Sequence, residues 1–211
     1  VVVGRFQDIE AEADIEFCGT NGIQTVRRFT GGGAVFHDAG TLNFTIATLP
    51  QEGMTVGRFY GVNSSVVINL LDHLGLHGSF VPPNSIHVAN KKISGAAAAF
   101  GRDFALWHTS ILISADTGLL DRVLSPKKKH DGSNYISSVR QPVTTVEGCL
   151  GHHVGLEEIK VGLVNSFEKL FQTMLEADGI LNDEKSRMSA LYTQKYSTRD
   201  WNFRGNFAAP A

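Results

Sequence analysis

The run Arg27-Arg28-Phe29-Thr30-Gly31-Gly32-Gly33-Ala34-Val35-Phe36-His37-Asp38 constrains this chain more than any other stretch. Consecutive glycines punctuate regular structure, so the run is a loop between two strand-like segments. Glycine reaches φ > 0 at little cost and lets the backbone approach a ligand where a side chain would block it. Successive N–H groups in such a turn form a concave anion site. Paired arginines add planar, multi-donor charge suited to phosphate or carboxylate. These residues alone leave two readings open: a loop built around a phosphate-bearing small molecule, or a Gly-rich hairpin with two solvated arginines.

At 211 residues, with 42% hydrophobic and 19% charged side chains, the chain reads as one globular domain with a substantial core. Its formal net charge of -2 supplies no field toward nucleic acid, and no apolar run is long enough for a membrane span. Two cysteines, Cys18 and Cys149, are too few for a disulfide scaffold and fit a reducing, cytoplasmic setting. The chain opens on Val1-Val2-Val3 without an initiator Met, so a preceding segment is expected to be missing.

Read in order, residues 1–5 form a short strand and 9–18 an acidic helix. Strands are expected at 23–29, 34–37 and 42–49, with Leu42, Phe44 and Ile46 on one side. Phe59, Val62, Val66, Leu70 and Leu74 repeat at helical spacing over 59–76. Residues 85–88 and 92–95 form a hairpin, 104–113 a strand and 117–124 a helix. The polar stretch Lys127-Lys128-Lys129-His130-Asp131-Gly132 is an exposed loop or a lid over a charged ligand. Residues 156–175 give the clearest amphipathic helix, with Leu156, Ile159, Leu163, Phe167, Leu170, Phe171 and Met174 on one face, and 184–192 a further helix. Strands gather early and helices late, which predicts an α+β fold with a mixed sheet flanked by helices.

No Walker loop, Rossmann fingerprint, zinc cluster or nucleophile elbow is present. In strand geometry Lys92 and Ser94 share a face, where a lysine, a hydroxyl and Gly95 can hold a carboxylate and a phosphate together. Lys92 also reads as a surface lysine on a hairpin. His108 lies on the next strand beside Trp107 and reads equally as a core histidine. His37-Asp38 either orients a ligand or begins a turn. A nucleophilic Cys149 would need an electropositive, exposed setting.

Arg27–Asp38 together with Asn43-Phe44 resembles the signature of lipoate–protein ligases. Gly4-Arg5-Phe6-Gln7 is similar to the family's opening motif, Lys92-Ile93-Ser94-Gly95 to its lysine motif, and His108 falls at the matching distance beyond it. Ser138-Val139-Arg140, Lys195-Tyr196-Ser197 and Asp200-Trp201-Asn202 resemble later landmarks of the same catalytic domain. The resemblance implies a fold of the biotin/lipoate ligase type, related to class II aminoacyl-tRNA synthetases, spanning 1–211. It implies ATP, magnesium and lipoate giving lipoyl-AMP, then transfer to a lysine of a lipoyl domain such as a 2-oxoacid dehydrogenase E2 subunit or glycine-cleavage H protein. It gives Lys92 the bridging role between acyl carbonyl and α-phosphate. Arg28, Thr30 and the backbone of Gly33, Ala34, Val35 and Phe36, with His37, would hold the nucleotide and acyl linkage, and Arg27 would face away. Ser94, Gly95, Ala97 and His108 would line the adenylate pocket. No metal ligands are assigned. Location would be cytoplasmic, or mitochondrial in a eukaryote.

The sequence departs from the family's pattern at Asn84-Ser85, where Asn-Asp is usual, which bears on magnesium or pyrophosphate. A C-terminal accessory domain is not expected here, as in archaeal-type enzymes that use a separate accessory subunit. Two alternatives follow: an octanoyl or lipoyl transferase working from a carrier thioester through Cys149, and a partner-dependent subunit inactive alone.

Overall fold

The computed structural model describes residues 1–126 and 135–205. In chain order its strands are β1 (Val2–Val3), β2 (Val26–Arg27), β3 (Thr41–Thr48), β4 (Gly78–Val81), β5 (Ser85–Val88), β6 (Lys91–Phe100) and β7 (Ala105–Leu112). Its helices are α1 (Ile9–Glu12), α2 (Ile15–Thr20), α3 (Val56–His73), α4 (Thr117–Val123), α5 (Val146–Leu150), α6 (Leu156–Phe171) and α7 (Asn182–Leu191). Two short π-helical turns follow at Tyr192–Tyr196 and Asp200–Arg204. Tertiary contacts divide the chain into a sheet unit, 37–117 with 140–175, and a loop unit, 1–36 with 118–139 and 176–211. The 127–132 stretch lies outside the described residues.

The sheet unit is built on an antiparallel sheet in the order β3-β7-β6-β5-β4. Alternation in β3 and β7 sends Ile46, Trp107 and Ile111 to one face. There they meet Val66, Val67, Leu70 and Leu71 of α3 and Ile159 and Leu163 of α6, all buried. Each such side chain stabilises by about 1.5–3 kcal/mol when fully removed from water. Gly162 lets α3 and α6 close up, because a Cβ there would sit 2.5 Å from Leu70 Cδ1. At the β5–β6 turn, Ala89 and Asn90 both take positive φ, 48° and 62°.

The loop unit is built of short elements: α1, α2, most of α4, α7, the two π-helical turns and the β1 and β2 strands. β1 and β2 form a two-stranded parallel ribbon, and parallel pairing between named strands is confined to it. The α+β class is as expected, but the large sheet is antiparallel throughout. The expected 9–18 helix is two helices, because Asp8 caps α1 at Glu10 N (3.1 Å) and Asp14 caps α2 at Phe17 N (3.0 Å). The expected 34–37 strand reduces to a bridge between Val35 and Val2, and the 23–29 strand to β2. α6 stops at Phe171, with Gln172 left-handed at φ 51°, so Met174 is 87% exposed instead of facing the core. α7 buries no residue.

Candidate functional site

Each unit carries one group of the residues singled out by sequence. In the sheet unit the key is a register shift. Ile86 pairs with Ser94 and His87 with Lys92, leaving Ile93 as the extra residue of a β-bulge. Ile93 and Ser94 therefore both turn to the core. Ile93 is fully buried, and Ser94 Oγ lies 2.6 Å from Thr109 Oγ1. The expectation that Lys92 and Ser94 share a face is thus overturned, because a one-residue slip reverses every side chain beyond it. Ser94 fixes the bulge through Thr109, which in turn donates to Gly95 O (3.0 Å).

Lys92 lies instead across Gly95. A Cβ at 95 would sit 2.8 Å from Lys92 Cε and 3.0 Å from Nζ, so the Lys-x-x-Gly spacing clears a bed for the lysine. The backbone of Lys92 is held at both groups: N–H donates to Pro142 O (2.8 Å) and C=O accepts from Thr144 N (2.9 Å). Burial pushes the ammonium below the ordinary lysine range. Among the described residues it has no ion pair or hydrogen bond. A half-buried cation without an anion is a receptor for one.

Beside it on β6 and β7, Ala97 stands opposite His108. His108 is in turn opposite Thr45 of β3, on the face of the sheet turned from α3 and α6. His37 joins the same unit through a closed polar ring. Ser110 Oγ donates to Asn43 Oδ1 (3.0 Å) and so accepts from His37 Nε2 (2.7 Å), while Asn43 Nδ2 faces His37 Nδ1 at 3.5 Å. That pattern assigns the His37 proton to Nε2. Asp38 is a turn former: it accepts from Gly40 N (2.9 Å), Thr41 Oγ1 (3.0 Å) and Asp116 N (2.7 Å).

In the loop unit the two arginines have unlike tasks. Arg27, 2% exposed, donates to Gly4 O (2.9 Å), Arg5 O (3.2 Å), Gln7 O (2.7 Å), Trp201 O (3.1 Å) and Asn202 O (3.2 Å). It faces away from the glycines. Arg28 folds back on the loop, donating to Thr30 Oγ1 (3.1 Å), Gly31 O (2.6 Å), Gly33 O (2.7 Å) and Val2 O (3.1 Å). It acts here as the loop's shaper, and buried Thr30 is its partner.

The loop backbone also differs from expectation. Ala34 N already donates to Ser138 Oγ (2.8 Å) and Val35 N to Val2 O (3.0 Å), while Phe36 packs in the unit's core. The N–H groups of Gly31, Gly32 and Gly33 carry no hydrogen bond among the described residues. With Gly32 at φ 85°, they are the loop's available anion donors. Gly4 explains itself here: a Cβ would fall 2.0 Å from Gly32 O. Sequence reasoning missed the hub role of Ser138, which also accepts from Gln7 Nε2 (3.0 Å) and covers Gly33. It missed Ser110 too. Neither carries a local signal, since their partners are distant in the chain.

Cys149 sits near the C-terminal end of α5. Its neighbour is Thr144 Oγ1 at 3.3 Å, and His153 is bound to Glu147 (2.6 Å) instead. No base or cation activates it among the described residues. No group of three His, Cys, Asp or Glu side chains that could hold a metal occurs among them either. No described helix is long and apolar enough to cross a membrane.

Comparison with known proteins is consistent with this geometry. Residues 1–168 match the model of the lipoyl protein ligase A/B catalytic domain. The chain is 32% identical to lipoate-protein ligase A subunit 1 of Thermoplasma acidophilum, over 96% of this chain and 80% of that protein. It is 27% identical to lipoate–protein ligase 1 of Staphylococcus aureus, covering 98% of this chain but 62% of the relative's length. Among solved structures, the bipartite lipoate protein ligase of T. acidophilum, studied with its E2 lipoyl domain, superposes with a TM-score of 0.87 at 31% identity, covering 100% of this chain and 82% of that one. A lipoate-protein ligase A bound with ATP gives a TM-score of 0.82 at 30% identity, covering 96% and 81%. A matched catalytic-domain model over most of the chain, with these relatives, makes it a ligase-type enzyme domain: the chain belongs to the lipoyl protein ligase A/B catalytic-domain family.

Proposed function

We propose that this chain activates lipoate with ATP to lipoyl-AMP and transfers the lipoyl group to a lysine of a lipoyl domain. One observation carries the reading: the Lys92 ammonium is half-buried, lies over Gly95 and has no anionic partner among the described residues. In the first step the lipoate carboxylate oxygen attacks the α-phosphorus, and the bond to the β-phosphate oxygen breaks to release pyrophosphate. The nucleophile is already an anion, so no general base is needed. The requirement is placement and cancellation of charge. Lys92 supplies a point charge for the carboxylate and α-phosphate, and His37 and His108 of the same unit orient the linkage; within the loop unit, the Gly31–Gly33 N–H groups are donors suited to an anion. In the second step the acceptor amine attacks the mixed-anhydride carbonyl, AMP leaves, and the amine proton passes to solvent.

Magnesium commonly binds through substrate phosphates and water, with one or two carboxylates. Among the described residues no group of three His, Cys, Asp or Glu side chains could hold it; bound with ATP, it would neutralise phosphate charge. Candidate acceptors are E2 lipoyl domains and glycine-cleavage H protein. The relative named as subunit 1 and the bipartite structure also favour a second reading, in which a separate accessory subunit is required.

The test is incubation with ATP, magnesium, lipoate and an apo lipoyl domain, reading acceptor mass. The expected result is ATP-dependent modification that survives Cys149→Ser and falls ~10²–10³-fold in Lys92→Ala, the scale for loss of a preorganised electrostatic group. Modification only from an acyl-carrier thioester, abolished by Cys149→Ser, would replace the ligase reading. Modification that begins only on adding a second protein would establish the partner-dependent form. Lys92→Arg is expected to stay slow, because a planar fork does not replace a point charge.

A further inference from the structure

The sheet unit holds a cavity away from Lys92. Phe100 ends the strand that Lys91 and Lys92 begin, and around it lies a cavity of about 350 Å³. Ile46, Met54, Phe59, Phe100, Phe167 and Phe171 supply its apolar walls. The volume is within the range of small-molecule pockets. No Asp, Glu, Lys, Arg or His lines it.

Its one deeply buried polar wall residue is Asn63, 3% exposed. Asn63 Nδ2 donates to Phe59 O (2.9 Å), which fixes the amide orientation, since a carbonyl must receive an N–H. Asn63 Oδ1 accepts no hydrogen bond from any described residue. An acceptor in an apolar, uncharged pocket selects a donor. An alcohol or primary amide satisfies it, whereas a carboxylate brings a second acceptor and a charge without a counterion.

We infer that this cavity is a binding site for a neutral, largely apolar small molecule that places one hydrogen-bond donor on Asn63 Oδ1. It discriminates against the ionised form of a fatty acid or of lipoate. The site is independent of the ligase reading, because none of its residues belongs to the Lys92 group.

The chain's three methionines provide the readout: Met54 lines the cavity, and Met188 lies on the exposed α7. With methyl-labelled methionine, octanamide titrated at pH 7.5 is expected to shift the Met54 resonance saturably and leave Met188 unmoved. Octanoate at the same concentrations leaves Met54 in place. Asn63→Leu, similar in size and apolar, weakens octanamide binding about 10-fold, the worth of a hydrogen bond in an apolar setting. Its unchanged methionine spectrum in the absence of probe reports the fold. The inference is overturned if Met54 does not respond to octanamide, if octanoate binds equally well, if Asn63→Leu binds as wild type, or if Met188 moves in step with Met54.

Discussion

The two units are held together by different physics. In the sheet unit, an apolar face of β3, β7, β6 and β5 meets α3 and α6, and side chains such as Leu70, Trp107 and Ile111 are fully buried. In the loop unit, buried arginine takes much of that role. Arg27 gathers carbonyls from residues 4–7 and 201–202, segments almost two hundred positions apart, and Trp201 Nε1 returns a bond to Arg27 O (2.8 Å). Arg5 and Lys195 stack on the Trp201 ring at 4.3 and 4.0 Å. A sheet with a non-polar face specifies itself by area removed from water. A glycine loop has no such face, so its shape has to be imposed by directional donors from elsewhere. The lesson is that the residues around an anion loop are part of its geometry even when they never meet a ligand.

The sharpest break of this contrast is Arg27→Met. It leaves several buried carbonyls without donors, each costing about 1–3 kcal/mol, and we expect a total near 4 kcal/mol. Hydrogen exchange should show the loss of protection concentrated in residues 1–36 and 196–205. Leu70→Ala should cost about 3 kcal/mol as a core cavity, with protection lost in α3, α6 and β6. Equal loss in both units for either variant would mean that the two do not have separate sources of stability.

Lys92→Met sharpens the comparison from the functional side. Burial holds the Lys92 pKa below 10.5 in the folded protein, so the unfolded chain binds more protons between the two values, and wild-type stability rises with pH through that window. Below it the cost of the buried charge is fully present. Lys92→Met should therefore be more stable than wild type at neutral pH and lose the advantage as pH approaches 10.5, while ligase activity falls. Denaturation of both chains from pH 7 to 10.5 checks this, and a variant less stable than wild type at pH 7 would refute it. The smallest effect is expected at Lys160→Ala. Its 2.6 Å pair with Glu157 is a surface i,i+3 bridge in α6, worth no more than about 0.5 kcal/mol.

Periodicity made the sheet unit readable. Residues 42–49, 59–76, 85–88 and 104–113 lie close to β3, α3, β5 and β7, because their apolar spacing matches the face they bury. The loop unit was less readable. Asp14 splits an apparent helix, and the strand expected at 34–37 is a single bridge, since side-chain hydrogen bonds compete there with regular pairing. At the candidate site the motifs marked positions without giving the directions of their side chains. Ser94 points to the core because Ile93 is bulged, and Arg28 points into its own loop.

By itself the sequence determined the α+β class, the anion-suited glycine run, the lysine four positions before Ala96, and the family to which these motifs belong. Those features are local, written in spacing and residue type. Only the tertiary structure decided which side chains stand where. It laid Lys92 over Gly95 with no counterion among the described residues, closed the His37–Ser110–Asn43 ring, and drew Arg27 to carbonyls at both ends of the chain. The reason is physical: hydrogen-bond partners and register are set by which segments meet in space, and a one-residue bulge suffices to turn a side chain from site to core.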